Sequence, residues 1–383
     1  MSLSARAVVP VRTPLDRSLF PVAQRWAYCN HAAVGPLPRP TRDAVAAVLD
    51  AQMNDGSAGI LDVESHLELV RAETAAAIGA RTDEVAFLRS TSDGALVVAN
   101  GLQWYEGDEI ILPDSEFGAN AYPWLNLRYR GVRTRFVRSP QRMTVEVLEK
   151  LKTRRTRLVA VSYVGFLDGY RNDLRAIGTW CRENGILFAV DAMQGFGHLP
   201  LDVSGWHMDF CYFGTAKWLL SPQGLSIVYV NREVIDSLLP TYYSWRSVRE
   251  PMVFLDYAQE LAPGARRLEG GTVNYPGLIG FRESLRLMRE ASFEAIESHV
   301  LGLCDHLINS ARERGIAVLS DVSQQHRSGI VLLGLGAREV DALHAKALAS
   351  KVGITVRDSG VRVSPHGYNT IADIDAVLNI MAS

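Results

Sequence analysis

The sequence has little of several features that would point to particular protein classes. Its four cysteines are scattered without a paired CxxC spacing, which argues against a zinc ribbon and against a disulfide framework. Charges nearly balance, with 40 Lys and Arg residues against 42 Asp and Glu residues. The formal net charge of -2 gives no electrostatic reason to expect nucleic acid or an anionic membrane as a partner. A small molecule is therefore the expected partner, and no metal site is predicted.

Long apolar runs are also missing. No stretch approaches the roughly 20 apolar residues that a membrane-spanning helix needs. Residues 1–20 lack the continuous apolar core of a secretory signal. Together with the scattered thiols, these absences predict an unprocessed, soluble protein of the cytoplasm.

What is present indicates a large α/β core. The 383 residues are 48% hydrophobic and 21% charged, which is ordinary for a globular protein of one large and one small domain. Apolar strand-like runs alternate with single helix-like segments up to about residue 230, which predicts βαβ crossovers and a mostly parallel sheet covered on both faces. Prolines and glycines interrupt this pattern in residues 239–276. We therefore predict a large domain at 40–262 and a smaller α+β domain made of 1–39 and 263–383.

Two charged side chains follow neighbouring apolar runs. The run ILFAVDA ends near Asp191, and DFCYFG ends three residues before Lys217. Ligands of open α/β sheets bind beyond the carboxyl ends of the strands, so both side chains are expected to border one site. Pyridoxal phosphate requires such a pair, because its aldehyde forms an imine with a lysine and a carboxylate faces its ring nitrogen. Either residue alone would equally suit a helix cap or a solvated charge.

Other segments accompany this pair along the chain. They are YCNHAAVGPLP (28–38), RSTSDGALVVANGL (89–102), EFGANAYPW (116–124), SYVGFLDGYRNDL (162–174), FGTAKWLLSPQG (213–224), EGGTVNYPG (269–277) and VRVSPHGYNT (361–370). Their order resembles the class V aminotransferase group of fold-type I pyridoxal-phosphate enzymes. That group includes cysteine desulfurases, selenocysteine lyases, kynureninases and isopenicillin N epimerase-like proteins. The resemblance covers nearly the whole chain and implies a fold-type I pyridoxal-phosphate-dependent transferase fold.

The resemblance implies how the cofactor ring is held. Lys217 would form the Schiff base with pyridoxal phosphate, and Asp191 would face the ring nitrogen. Phe117 would stack on the ring at a position where family members often carry His. Phe166 stands where the family has an Asn near the ring hydroxyl, so Gln194 would contact that hydroxyl instead.

The cofactor phosphate has its own implied partners. Ser92, Asp93 and Gly94 would offer backbone N–H groups at the N-terminus of a helix. Ala216 replaces the His that usually precedes the lysine, and Thr215 would supply part of the missing hydrogen bonding.

The resemblance also implies substrate and subunit contacts. Arg362 would bind the α-carboxylate of an amino-acid substrate through a bidentate fork. Asn30 and His31, in the N-terminal loop, would border the substrate. Thr272 would reach across a homodimer interface to the cofactor phosphate of the neighbouring subunit.

The reaction stays open at this stage. We predict a class V aminotransferase, with a C–S (β-elimination) lyase or an epimerase of the same family as the alternative. No cysteine lies between residue 335 and Arg362, where the family's desulfurases carry a mobile-loop cysteine, so a persulfide-forming cysteine desulfurase is not expected. A non-catalytic scaffold is a further alternative, although a scaffold has no need for Asp191, Lys217 and Arg362 together.

Overall fold

The computed structural model of the protein describes residues 13–60 and 62–381. The α-helices are α1 (Arg39–Asp55), α2 (Val63–Ile78), α3 (Thr91–Gly101), α4 (Gly118–Asn126), α5 (Val145–Leu151), α6 (Leu174–Glu183), α7 (Tyr275–Ala291), α8 (Phe293–Glu313), α9 (Val340–Ala349) and α10 (Ile371–Met381). The strands are β1 (Ala27–Tyr28), β2 (Val85–Leu88), β3 (Glu109–Pro113), β4 (Arg133–Val137), β5 (Thr156–Ser162), β6 (Leu187–Asp191), β7 (Phe210–Gly214), β8 (Ser226–Val230), β9 (Val331–Leu333), β10 (Val352–Gly353), β11 (Thr355–Arg357) and β12 (Gly360–Val363).

Seven strands form the central sheet in the order β2-β8-β7-β6-β5-β3-β4. Strand β8 is antiparallel to both of its neighbours, and the remaining pairs are parallel. Successive residues of one strand pack into different hydrophobic clusters, as Phe188 and Val190 do on one face of β6 and Ala189 on the other. The predicted α/β fold with a mostly parallel sheet, covered on both faces, is therefore confirmed.

Helix α3 is held tightly at the carboxyl edge of this sheet. Ser90 caps the helix by accepting a hydrogen bond from the N–H of Asp93 at 3.1 Å. A Cβ at Gly94 would lie only 2.4 Å from the Cβ of Tyr212 in β7, so glycine is what lets the helix approach the sheet this closely. The N-terminus of α3 consequently lies beside the ends of β6 and β7.

The C-terminal part of the chain builds a separate antiparallel sheet, β11-β12-β9. The N-terminal segment joins this part, because β1 pairs with β10 and Arg17 forms an ion pair with Asp373 at 2.6 Å. Helix α7 instead contacts the first two helices, where Arg282 pairs with Glu73 at 3.2 Å. The domain boundary near residue 262 stays a prediction.

Two expectations about the whole chain are only partly addressed. We expected residues 1–20 not to form a signal peptide, and residues 1–12 of that segment lie outside the described residues. Within residues 13–60 and 62–381, none of the helices combines the length and the apolar character needed to cross a membrane.

Candidate active site

A cavity of about 420 Å³ opens at the carboxyl edge of the central sheet. Its volume falls within the roughly 300–1,000 Å³ typical of small-molecule sites. The central sheet contributes side chains from its strand ends and from α3, and the C-terminal sheet contributes arginines. The predicted residues that line it are Ser92, Phe117, Asp191, Gln194, Lys217 and Arg362.

Lys217 follows β7 and is half-buried in the cavity wall. Its ammonium nitrogen lies 5.8 Å from the centroid of the Phe117 ring. Burial lowers the pKa of Lys217 to about 8; Asp191 opposes this shift, and Arg362 and Arg357 add to it. An amine with this pKa has a much larger neutral fraction at neutral pH than a free lysine has. The neutral amine is the form that attacks an aldehyde.

Asp191 ends β6 and is only 4% exposed. One carboxylate oxygen accepts a hydrogen bond from the N–H of Met193 at 2.8 Å. Burial raises the pKa of Asp191 to about 6, and the Met193 N–H and the charge of Lys217 oppose this shift. Among the described residues, no cation forms an ion pair with this carboxylate. A protonated ring nitrogen would supply the missing positive partner.

The first turn of α3 forms another wall of the cavity. Thr91 and Ser92 line it, whereas Asp93 and Gly94 do not. The N–H of Asp93 is already bound by the Ser90 hydroxyl, and the N–H of Gly94 donates to the Ser90 carbonyl at 3.3 Å. Of the three predicted phosphate donors, only Ser92 lines the cavity, and Thr91 lines it as well. The N–H groups of Asp93 and Gly94 form hydrogen bonds within the helix and its cap instead. Ser90, Thr91 and Ser92 all carry hydroxyl groups, so the sequence alone did not indicate that Ser90 is the N-cap of α3.

Thr215 is fully buried and does not line the cavity. Its hydroxyl hydrogen-bonds the carbonyls of Pro222 and Leu225 at 3.1 and 3.2 Å. It therefore closes the turn that carries Lys217, and the structure does not bring it to the predicted position beside the cofactor.

The N-terminal loop reaches the cavity with different residues from those predicted. Ala32 and Ala33 line the cavity. His31 is fully buried, with Nδ1 2.9 Å from the Ser364 carbonyl and Nε2 3.0 Å from the Tyr368 hydroxyl. Burial holds the pKa of His31 well below its usual value, so the ring is neutral and its two nitrogens are already engaged.

The side chain of Asn30 is engaged in the same way. Its Oδ1 accepts a hydrogen bond from the hydroxyl of Thr355 at 2.7 Å, and the residue is outside the cavity lining. The two predicted substrate contacts, Asn30 and His31, are therefore structural in this conformation, because their hydrogen bonds tie the loop to the C-terminal part of the chain.

Gln194 fastens the floor of the cavity. Its amide nitrogen donates to the Ala32 carbonyl, and its oxygen accepts from the indole N–H of Trp218, each at 2.9 Å. Phe117 lies on the other side, 52% exposed, with its ring edge-to-face against Phe166 at 5.2 Å. An exposed aromatic ring beside a half-buried lysine is well placed to cover a planar ligand.

Arg362 is 6% exposed and lies in β12. One terminal nitrogen donates to the Phe166 carbonyl at 2.6 Å, while Nε has no hydrogen-bond partner among the described residues. Burial and the charge of Arg357 lower the pKa of Arg362 to about 10. A buried guanidinium without a carboxylate partner is suited to bind an anionic ligand. Arg357 also lines the cavity, and sequence reasoning missed it.

Several other residues lie away from this cavity. Thr272 is exposed and is not part of the lining. All four cysteines are buried, and none of them borders the cavity.

These features fit pyridoxal phosphate residue by residue. Lys217 would hold its aldehyde carbon, Asp191 its ring nitrogen, and the first-turn N–H groups of Thr91 and Ser92 its phosphate. The orphaned Nε of Arg362 leaves a donor for a substrate carboxylate. The cavity is thus that of a fold-type I pyridoxal-phosphate enzyme.

Comparison with known proteins gives the family. Residues 32–377 match the family Aminotransferase class-V, so the chain belongs to the class-V aminotransferases, and its cofactor is pyridoxal phosphate. A probable cysteine desulfurase of Methanothermobacter thermautotrophicus is 29% identical, covering 95% of this chain and 96% of the relative. An uncharacterized aminotransferase, YcbU, of Bacillus subtilis is also 29% identical, covering 96% of each chain.

Solved structures share the fold. The apo cysteine desulfurase of Thermococcus onnurineus has a TM-score of 0.86 at 22% identity, covering 98% of each chain. The cystine C–S lyase C-DES, in complex with its reaction product cysteine persulfide, also has a TM-score of 0.86 at 22% identity, covering 95% of this chain and 99% of that one.

These relatives correct one expectation. The expectation that the protein is not a persulfide-forming cysteine desulfurase, drawn from the lack of a cysteine between residue 335 and Arg362, is contradicted, because proteins similar across almost the whole chain are named cysteine desulfurases. A missing side chain on one loop says little about the rest of a shared fold.

The low pKa of Lys217 predicts how apoprotein captures its cofactor. The rate of covalent pyridoxal-phosphate attachment should rise about tenfold per pH unit below pH 8 and level off above it, because only the neutral amine reacts. Stopped-flow absorbance measures this rate. Arg362→Ala should move the midpoint upward, since Arg362 lowers the pKa of Lys217. A rate still rising at about pH 10, as for free lysine, would contradict the prediction.

Proposed function

We propose that the protein is a pyridoxal-phosphate-dependent lyase that cleaves the C–S bond of a cysteine-type amino acid. The observation that carries the proposal is the meeting of Lys217, Asp191 and Arg362 around one cavity. Relatives named cysteine desulfurase and the shared fold of a cystine C–S lyase favour sulfur chemistry over transamination.

The side chains divide the work between binding and proton transfer. Pyridoxal phosphate, when bound, supplies an electron sink for negative charge at the substrate Cα. Arg362 binds the α-carboxylate and so orients the substrate. Lys217 acts as the general base that takes the α-proton, and its ammonium form can return a proton to the departing sulfur. Phe117, which lies beside the lysine, covers one face of the planar cofactor ring.

Product analysis tests the proposal. The purified, pyridoxal-phosphate-loaded protein is incubated with L-cysteine or L-cystine, with and without a keto acid. β-Elimination should release sulfide from L-cysteine, or cysteine persulfide from L-cystine, in each case with equal amounts of pyruvate and ammonia. Alanine together with sulfur bound to a thiol as a persulfide would instead indicate desulfurase chemistry. Exchange of the amino group with the keto acid and no release of sulfur would reject the lyase and favour the second candidate.

That second candidate is an aminotransferase. The name of the relative YcbU, an uncharacterized aminotransferase, supports it. Two further measurements distinguish the remaining alternatives. Formation of the D-amino acid in deuterated solvent, with deuterium at Cα and no release of sulfur or keto acid, would indicate an epimerase. The absence of an imine absorbance band in protein saturated with pyridoxal phosphate would indicate a scaffold.

We also propose a cytoplasmic homodimer in which Thr272 contacts the cofactor phosphate of the neighbouring subunit. The exposed position of Thr272, outside the cavity of its own chain, supports this arrangement. Light scattering should give the mass of two chains, and Thr272→Ala should weaken pyridoxal-phosphate affinity about tenfold, since a hydrogen bond to a charged group is lost. A monomer with full cofactor affinity would contradict the proposal.

A further inference from the structure

Arg357 is the second arginine of the cavity and has no role in the scheme above. It ends β11, which pairs with β12 so that Thr355 lies opposite Arg362 and Arg357 lies opposite Gly360. Side chains two residues apart on a strand point to the same face, as do residues directly opposite on paired strands. Arg357 and Arg362 therefore leave the same face of one hairpin, and both line the cavity.

The two arginines differ in their surroundings. Arg362 is nearly buried and is anchored by the Phe166 carbonyl at 2.6 Å. Arg357 is exposed and, within residues 13–60 and 62–381, its side chain forms neither a hydrogen bond nor an ion pair. Its guanidinium is thus available at the mouth of the cavity, whereas that of Arg362 is fixed inside.

The charges of the cavity leave Arg357 without a counterion. Among the residues that the structure describes, the charged side chains of the lining are one carboxylate, Asp191, and three cations, Lys217, Arg357 and Arg362. In the proposed function Lys217 and Asp191 serve the cofactor, and Arg362 takes the α-carboxylate. One guanidinium then remains, and it faces the same space.

The assignment of the α-carboxylate to Arg362 has a geometric reason. An amino acid carries its α-carboxylate on the carbon next to the amine, so the arginine nearer to Lys217 should bind it. Arg362 is 6% exposed and lies inside the cavity with the half-buried Lys217, whereas Arg357 is exposed. Arg357 is left for a group farther along the side chain.

We propose that Arg357 binds an anionic group at the far end of the substrate side chain. This inference rests on the proposed function and narrows its substrate class. Preferred substrates are sulfur amino acids that carry a second negative charge beyond the sulfur. That charge is the distal carboxylate in L-cystine and the sulfonate group in an S-sulfonated cysteine. Cysteine itself lacks that charge.

Binding of a matched pair of ligands tests the proposal. L-2-aminoadipate and its side-chain amide have the same shape and differ only in the distal charge. Both lack sulfur, so their dissociation constants can be measured on the pyridoxal-phosphate-loaded protein whether or not it cleaves C–S bonds. Absorbance titration or calorimetry gives these constants for the wild type, Arg357→Ala and the control Arg312→Ala. Arg312 is an exposed arginine of α8 outside the cavity lining.

The wild type should bind the acid at least about tenfold more tightly than the amide, the size expected for a charge-assisted contact. Arg357→Ala should bring the two constants within about twofold by weakening the acid alone, and Arg312→Ala should leave the preference intact. Equal weakening of both ligands in Arg357→Ala would overturn the proposal, because Arg357 would then serve the α-carboxylate or the fold. A wild type without preference would overturn it as well.

Discussion

Replacing Lys217 by alanine is expected to lower the rate of C–S cleavage by the pyridoxal-phosphate-loaded protein by about 10³-fold. The substitution removes the amine that takes the α-proton, and a positioned base contributes about 10²–10⁴-fold. The half-buried position of Lys217 and its pKa of about 8 suit it for this role. The measurement is kcat for sulfide or persulfide release from saturating substrate.

Lys351→Ala is the matched control for Lys217→Ala. Lys351 lies against the ring of Trp26, 4.9 Å from its centroid, and is not part of the cavity lining. Its removal should leave kcat within about twofold, as usual for a surface substitution. Equal rates in Lys217→Ala and the wild type would mean that another group removes the α-proton.

Asp191→Asn is expected to lower kcat by about 10²–10³-fold. A carboxylate about 4 Å from a protonated nitrogen contributes roughly 4 kcal/mol at an effective dielectric near 20, which corresponds to almost 10³-fold in rate. The amide keeps the size of the side chain and the hydrogen bond from Met193, but it loses the charge. The measurement is kcat, together with the pH dependence of the absorbance of the bound cofactor.

Asp209→Asn provides the control for a buried carboxylate. Burial raises the pKa of Asp209 to about 6, as it does for Asp191. Asp209 directly precedes β7 and accepts a hydrogen bond from the N–H of Phe188 at 2.8 Å. It is not part of the cavity lining. Its substitution should change stability and not kcat; a similar loss of kcat in both variants would show that the effect of Asp191→Asn is not specific to the cofactor.

The sheet and the two main site residues were predictable because they depend on local patterns. Apolar runs predict strands, and the ends of neighbouring parallel strands meet at one edge. Residues Asp191 and Tyr212 pair in register between β6 and β7, so the side chain that ends β6 and the lysine after β7 share the cavity.

The residues that were misplaced depend on hydrogen bonds that a sequence does not display. The loop at residues 30–33 was expected to present Asn30 and His31, but Thr355, Ser364 and Tyr368 engage those side chains. Long-range partners of this kind, more than 300 residues away in the chain, leave no local pattern.

A signal for Arg357 was present in the sequence. The stretch ITVRDSGVRVS has two strand-like runs around a short polar turn, which is typical of a hairpin. Alternation along such strands predicts that Arg357 and Arg362 share a face. Only Arg362 was predicted as a site residue, and Arg357 was not.

Borohydride reduction of the holoprotein followed by peptide mapping tests the central claim most directly. The chain has five lysines, at positions 150, 152, 217, 346 and 351. All five lie within the part of the chain that the structure describes, and of these only Lys217 lines the cavity. The phosphopyridoxyl group should appear on the peptide that contains Lys217 and on no other. A phosphopyridoxyl group on a different lysine, or none after saturation with pyridoxal phosphate, would contradict the assignment of Lys217 as the residue that binds the cofactor.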